Sequence, residues 1–249
     1  MGKLSGKIAI VTGGNSGIGL ATAKLFAAEG AQVVVTGRRK AELDAAVAEI
    51  GHGAVGVQGD VSKLAELDAL YAEVKGKFGR IDILFANAGV CELAPLAGAT
   101  EQHFDKLFNI NVKGLLFTVQ KALPLIVDGG AIILNSSIAN TTGFPTFGVY
   151  SATKAAVRSF ARSWTAELKD RKIRVNVISP GPIETPIFGK MGISAGEMQE
   201  FDAQTSALVP LGRFGKADEI AKAALFLASD DASYVAGANL YVDGGMVAV

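Results

Sequence analysis

The chain of 249 residues has one cysteine, Cys91, so no disulfide can form within it. Cysteine usage of this kind fits a reducing compartment. Aromatic residues amount to only 7%, so the core must be built from the Ala, Val, Ile and Leu that dominate a hydrophobic content of 49%. Neither sign of charge prevails: Lys plus Arg and Asp plus Glu each number 24. That balance offers no electrostatic footprint for nucleic acid or an anionic membrane. No run approaches the roughly 18 apolar residues of a membrane span. Cys91, His52 and His103 do not stand at metal-ligand spacing, and no metal is expected.

The opening "MGKLSGKIAIVTGG" has lysines, but Gly13 and Gly14 interrupt its apolar run too early for a secretory signal. Gly6 occupies the position where a myristoylation signal wants Ser or Thr. The glycosylation-like triplets at Asn135 and Asn140 carry no meaning without secretion. The expectation is a cytoplasmic protein.

What the chain does have is alternation. The apolar runs 7–13, 32–37, 55–61, 81–89, 130–137, 173–181 and 239–245 are separated by longer stretches with helical periodicity. In the first such stretch Ile18, Ala21, Leu25 and Ala28 recur at helical spacing, and Gly30 reads as a stop. Strands this uniformly apolar are buried on both faces, as in parallel sheets covered by helices. Strict β–α alternation with right-handed crossovers then gives a doubly wound α/β sheet. No linker composition divides the chain, so residues 1–249 read as one domain. Residues of about 182–215, rich in Gly, Pro and Met, form an irregular excursion that reads as a substrate lid.

"TGGNSGIG" (12–19) follows the first apolar run and opens the first helix. Glycines spaced as Gly13, Gly17 and Gly19 permit a tight turn, close approach of a diphosphate and close helix–strand packing. The helix N-terminus adds unpaired N–H groups and a positive dipole end. Gly13, Asn15, Ser16, Gly17, Ile18 and Gly19 are therefore assigned to a bound dinucleotide.

Taken with this turn, "NAG" at 87–89, a Ser ahead of "YSATK" at 150–154, and "PG" at 180–181, the chain resembles the short-chain dehydrogenase/reductase family. The resemblance covers essentially the whole chain, with every main motif in order, and fits the family's short form. It departs from the enoyl-reductase branch, where Tyr and Lys lie further apart. It implies a Rossmann-type sheet of about seven parallel strands flanked by helices, a nicotinamide cofactor across the switch point, and a homotetramer or homodimer.

Tyr150 and Lys154 stand four apart in a helical pattern, so one face presents both to the same ligand. A free tyrosine titrates near ~10, and a fixed ammonium with the charge of an oxidised nicotinamide would favour phenolate. Tyr150 would then exchange a proton with a substrate oxygen while hydride moves at the adjacent carbon. The resemblance implies that Lys154 also holds the nicotinamide ribose. Family spacing puts the catalytic serine at Ser137, with Ser136 as competitor; its hydroxyl would bond the substrate oxygen as charge develops there. Asn111, in "NINVKG", maps onto the residue whose backbone anchors a proton-relay water. Asp60 and Val61 map onto adenine contacts, Asn87, Ala88 and Gly89 onto the ribose passage, and Pro180, Gly181, Ile183 and Thr185 onto the nicotinamide segment.

Cofactor choice is read from "VVVTGRR". A cofactor without a 2′-phosphate is usually held by an acidic residue about 20 positions beyond the glycine turn. Thr36, Gly37, Arg38 and Arg39 stand there instead. Guanidinium suits phosphate, so NADP (NADPH) is expected, with Arg38 the main partner and Arg39 stacked on adenine or turned to solvent. NAD remains a weaker alternative. The substrate side offers Phe144, Phe147, Phe188 and Phe201, an apolar lining suited to a small-molecule ketone, aldehyde or secondary alcohol. A sugar dehydrogenase and a 3-oxoacyl-acyl-carrier-protein reductase are alternatives. A cofactor-sensing protein without chemistry should lack Ser, Tyr or Lys, and all three are present.

Overall fold

The computed structural model describes residues 2–185 and 204–249. Its strands are β1 (Ile8–Thr12), β2 (Gln32–Gly37), β3 (Val55–Gln58), β4 (Ile81–Ala86), β5 (Ile126–Asn135), β6 (Arg174–Pro180), β7 (Ile183–Glu184), β8 (Gly215–Lys216) and β9 (Asn239–Val242). The helices are α1 (Gly17–Ala28), α2 (Lys40–Ile50), α3 (Leu64–Phe78), α4 (Glu101–Phe108), α5 (Leu115–Ala122), α6 (Gly148–Glu167) and α7 (Ala217–Ala228). Seven strands form one parallel sheet in the order β3-β2-β1-β4-β5-β6-β9, while β7 and β8 form a separate parallel pair. This is the expected Rossmann-type architecture.

Side chains along a strand alternate between faces, and here both faces are covered. In β2, Val33 and Val35 join a core with Phe26 of α1, Leu43 of α2 and Ile220 of α7. Val34 points to the opposite core, with Leu70 of α3, Val119 of α5 and Val157 of α6. Ile83 and Phe85 of β4 repeat the first choice, and Leu84 the second. Helix α1 ends as expected, with Gly30 at a φ of 90°.

One strand starts earlier than the apolar run suggests. β5 begins at Ile126 rather than at 130, and its register against β4 shifts between Ile81 and Ile83. The polar "DGG" lies within the strand: Gly129 takes a φ of 78°, and a Cβ on Gly130 would meet Ile126 Cγ2 at 2.8 Å.

The last strand is hung on a buried amide. Asn176 of β6 is only 1% exposed. Its Nδ2 donates to the Val235 carbonyl at 2.8 Å, and its Oδ1 accepts from the Ala238 N–H at 3.0 Å. An Asn176→Ala protein leaves both backbone groups unpaired, and its unfolding free energy should fall by about 1–3 kcal/mol. Urea titration checks this; a loss below about 0.5 kcal/mol, the range of ordinary surface changes, would show that β9 docks without the amide.

Candidate active site

The carboxyl ends of the parallel strands converge on one rim of the sheet, where the order reverses between β1 and β4. The glycine turn lies between β1 and α1. Gly13 and Gly17 adopt φ of 65° and 53°, a region that only glycine enters freely. A Cβ on Gly13 would reach Ala88 Cα at 3.0 Å, and one on Gly19 would stand 2.2 Å from the Gly13 carbonyl oxygen. Ser16 precedes α1 without capping it through its side chain, and no acidic residue sits in the first turn. Its N-terminal N–H groups thus face a cradle with neither a capping oxygen nor a carboxylate of its own. That arrangement fits a diphosphate. Asn15 lies over Gly37, where a Cβ would meet Asn15 Oδ1 at 2.6 Å, so the turn seats directly on the exit of β2. Ile18 packs partly into the core of that face.

Beyond β2 the two arginines part. Arg39 chelates Glu42 through Nε and Nη2. Arg38 is half-exposed and, among the described residues, makes a long approach to Asp60, Nη1 to Oδ2 3.8 Å. Arg38 and Asp60, with Gln58, Lys63 and Glu66, line a cleft of about 370 Å³. Lys63 is paired with Glu66 at 3.0 Å. Asp60 belongs to a turn after β3 rather than to the strand, its Oδ1 accepting from the Ser62 N–H at 2.9 Å and hydroxyl at 2.7 Å. Val61 is buried beside Gly114.

A chain of polar contacts then crosses the rim. The buried Thr12 hydroxyl accepts from the N–H groups of Asn87 and Ala88, both at 3.1 Å. Asn87 Nδ2 donates to the Thr12 carbonyl at 2.9 Å, and its Oδ1 accepts from Asn135 Nδ2 at 2.8 Å. The Asn135 carbonyl accepts from Lys154 Nζ at 2.9 Å. Gly89 is held close: a Cβ there would lie 3.2 Å from Asn111 Oδ1 and 3.6 Å from Lys154 Nζ. Asn111 lies in a π-helical stretch, Asn109–Gly114, a local widening often found at functional sites. Its side chain brackets Val90, accepting from the N–H at 2.9 Å and donating to the carbonyl at 2.8 Å, and donates to Thr153 Oγ1 at 3.2 Å.

The adjacent serines point differently. Ser136 Oγ donates to the Lys154 carbonyl at 2.9 Å inside the fold. Ser137 Oγ accepts from the Ala139 N–H at 3.2 Å and stands close enough to the Tyr150 phenol to favour its ionised form. Tyr150 stands in the first turn of α6, with Phe147 edge-on at 5.9 Å and Phe144 a further 5.7 Å away. Lys154 Nζ lies 5.6 Å from the Tyr150 ring centroid. Burial raises the Tyr150 pKa and the nearby Cys91 adds to it, while the Ser137 hydroxyl pulls it down. Burial likewise pushes the Cys91 thiol up to about 11, and lowers Lys154 to about 8.

Lys154 directs its Nζ to the Asn135 carbonyl rather than to the phenol, and burial favours the neutral form of Tyr150. Pro180 and Ile183 are buried, Ile183 within the core, so Ile183 can face a ligand only through its backbone. Gly181 is wedged against Asp243, where a Cβ would lie 2.8 Å from Cα. Thr185 is partly exposed. Phe188 and Phe201 lie outside the described residues. Among the described residues no three His, Cys, Asp or Glu gather as a metal site, and no helix is long and apolar enough to cross a membrane. Thr12, Asn135 and Thr153 were not singled out as site residues in the sequence, although "LNSS" closing an apolar strand was a usable signal.

A glycine-lined helix start at a sheet's switch point, with Ser, Tyr and Lys grouped beside it, defines a dinucleotide-dependent oxidoreductase of the Rossmann class. The family model described as enoyl-(acyl carrier protein) reductase matches residues 13–247. The oxidoreductase asL5 of Sarocladium schorii is 45% identical over 99% of this chain and 98% of its own. The 3-oxoacyl-[acyl-carrier-protein] reductase FabG of Thermotoga maritima is 39% identical over 98% of this chain and 99% of its own. A solved short chain dehydrogenase/reductase family protein superposes with a TM-score of 0.87 at 42% identity, covering 99% of this chain and 100% of that one. The chain belongs to the short-chain dehydrogenase/reductase family.

The buried Lys154 has a consequence for stability. Its folded pKa of about 8 lies below the unfolded value of 10.5. Below pH 8 both states are protonated and the folded state carries the full cost of a buried charge. Between pH 8 and 10.5 the unfolded state binds more protons, so stability rises with pH. Lys154→Met should stabilise the ligand-free protein at pH 7 by up to about 3 kcal/mol, one pKa unit being 1.36 kcal/mol. The gap between variant and wild type should close towards pH 10.5. Denaturant titrations across this range check it; a gap that does not change with pH would contradict the buried ammonium.

Proposed function

We propose that the protein is an NADP-preferring oxidoreductase that interconverts a ketone or aldehyde and the corresponding alcohol, with Tyr150 as acid and base. The observation that carries this reading is the grouping of Ser137, Tyr150 and the buried Lys154, whose Nζ lies 5.6 Å from the Tyr150 ring centroid. When bound, the nicotinamide supplies or accepts the hydride. Ser137 has a hydroxyl oxygen satisfied by the Ala139 N–H, which leaves its proton to stabilise charge developing on the substrate oxygen. Tyr150, its neutral form favoured by burial, is in the state needed to give that oxygen a proton during reduction. The charge of Lys154 favours the phenolate which that transfer leaves, and in the reverse direction the phenolate takes the proton back from the alcohol. Lys154 lies where it can exchange the Asn135 carbonyl for ribose hydroxyls.

Arg38 supports NADP, because the cleft beside it holds a guanidinium whose approach to Asp60 is long enough for a phosphate to displace. Arg39, chelated by Glu42, leaves that task to its neighbour. Phe144 and Phe147 form an aromatic path leading to Tyr150, which suits hydrocarbon or aryl carbonyl substrates. A 3-oxoacyl thioester is the second reading, favoured by likeness to the Thermotoga reductase; it is itself a ketone and would use the same residues. We read the chain as one domain, acting in the cytoplasm as a homotetramer or homodimer; residues 186–203 of the lid expected at about 182–215 lie outside the described residues. The exposed Leu96, Phe104, Phe226 and Tyr234 support assembly.

Tyr150→Phe should lower turnover roughly 10²–10⁴-fold, the usual contribution of a general acid–base group, with NADPH binding retained. Stopped-assay and fluorescence titration check both parts, and near-wild-type turnover would remove the mechanism. Arg38→Asp should reverse the ratio of kcat/KM between NADPH and NADH. A wild type that favours NADH, or a ratio untouched by the substitution, would remove the assignment of NADP.

A further inference from the structure

Beside Ser137 a second set of polar side chains interlocks, its hydrogen bonds directed to one another and to the Lys154 carbonyl. Asn140 ends the short turn Ile138–Asn140, and its N–H donates to the Ser137 carbonyl at 3.0 Å. Its Nδ2 donates to Ser136 Oγ at 3.1 Å and to Ser179 Oγ at 2.8 Å. Ser136 Oγ donates in turn to the Lys154 carbonyl at 2.9 Å, and Ser179 Oγ to Asn239 Oδ1 at 2.5 Å. Ser136, Asn140 and Ser179 are buried.

The directions of these bonds follow from counting protons. Each serine has a single O–H. One points to the Lys154 carbonyl, which can only accept, and the other to the Asn239 amide oxygen. Both serine oxygens are therefore acceptors towards Asn140, whose NH₂ has two hydrogens to give. Turning the amide over would set its oxygen against two oxygens whose protons are engaged elsewhere. Asn140 Oδ1 itself is buried with no partner among the described residues, a cost that the fold accepts.

This arrangement joins four elements in one place: the exit of β5, helix α6, strand β6 and edge strand β9. Ser179 immediately precedes Pro180 and Gly181, and Ser136 immediately precedes Ser137. We propose that Asn140 is a positioning residue, keeping the turn that carries Ser137 in register with α6 and with the exit of β6, so that the Ser137 and Tyr150 hydroxyls meet the substrate oxygen together. The proposal rests on the reading of Ser137 and Tyr150 as the reacting pair.

The test compares Asn140→Ala, Ser179→Ala and the double variant with wild type and with Tyr150→Phe. The assay uses NADPH and whichever ketone of an aliphatic and aryl panel is reduced fastest; NADPH Kd and Tm are measured alongside. For Asn140→Ala, kcat should fall about 10- to 100-fold, since a misplacement of about 1 Å can cost this much, while the NADPH Kd is unchanged. Ser179→Ala should lose less, and the double variant should be no worse than Asn140→Ala, because both act through one network. The Ser137 hydroxyl lowers the Tyr150 pKa, so displacing it should move the acidic limb of alcohol oxidation to higher pH. Lys154 and Cys91, the other titratable groups facing that phenol, are retained in every variant. A wild-type kcat and pH profile in Asn140→Ala, with only Tm lowered, would overturn the proposal, as would losses that simply add. If Asn140→Ala does not fold, the kcat and pH limb of Ser179→Ala decide between the same outcomes. An active Tyr150→Phe would overturn both this proposal and the function it rests on, whereas an inactive one beside an unaffected Asn140→Ala removes this proposal alone.

Discussion

Asn87 joins three strands at the point where the sheet changes direction. Its amide donates to the carbonyl at the end of β1, its backbone N–H donates to the Thr12 hydroxyl oxygen, and its side-chain oxygen accepts from Asn135 at the end of β5. Through the Asn135 carbonyl the same chain ends on Lys154. The glycine turn before α1 and the ammonium on α6 therefore have a fixed relation, although far apart in sequence. Strand exits pull apart into loops where ladder pairing stops, and unpaired polar groups there must find partners. Here the partners are one another.

Burial sets the electrostatic state of the group at that junction. Lys154 is taken out of water, and its pKa falls to about 8. Tyr150, also sheltered, shifts upward, so burial favours a neutral phenol next to a lysine that has lost much of its preference for charge. A ligand with hydroxyls for Lys154 and positive charge near Tyr150 alters both at once. Ligand binding and proton readiness are thus coupled through desolvation.

The two polar sets at the rim differ in kind. The Thr12–Asn87–Asn135–Lys154 chain borders the proposed dinucleotide. The Ser136–Asn140–Ser179–Asn239 set lies beside Ser137 and touches the proposed reacting groups only through the backbone. Apart from Lys154, both are built from side chains with few rotatable bonds, and close-packed interiors transmit their placement with little slack.

Much of the fold was legible in the sequence. Uniformly apolar runs of Val, Ile and Ala read as strands of a parallel sheet covered by helices on both faces, and Gly13, Gly17 and Gly19 mark the tight turn from β1 into α1. The grouping of Tyr150 with Lys154 follows from helical spacing alone. What the sequence could not supply was direction. Ser136 and Ser137 are equivalent as letters; the extended backbone at the end of β5 sends one inward to α6 and the other to Tyr150. Arg38 and Arg39 are likewise equivalent until Glu42, one helical turn on, captures the second. The start of β5 at Ile126 was hidden because Asp128 and two glycines carry no strand signal, and pairing with β4 overrides that composition. Partnership, burial and the pKa values they produce arise only when distant segments meet, so the tertiary structure alone decided them.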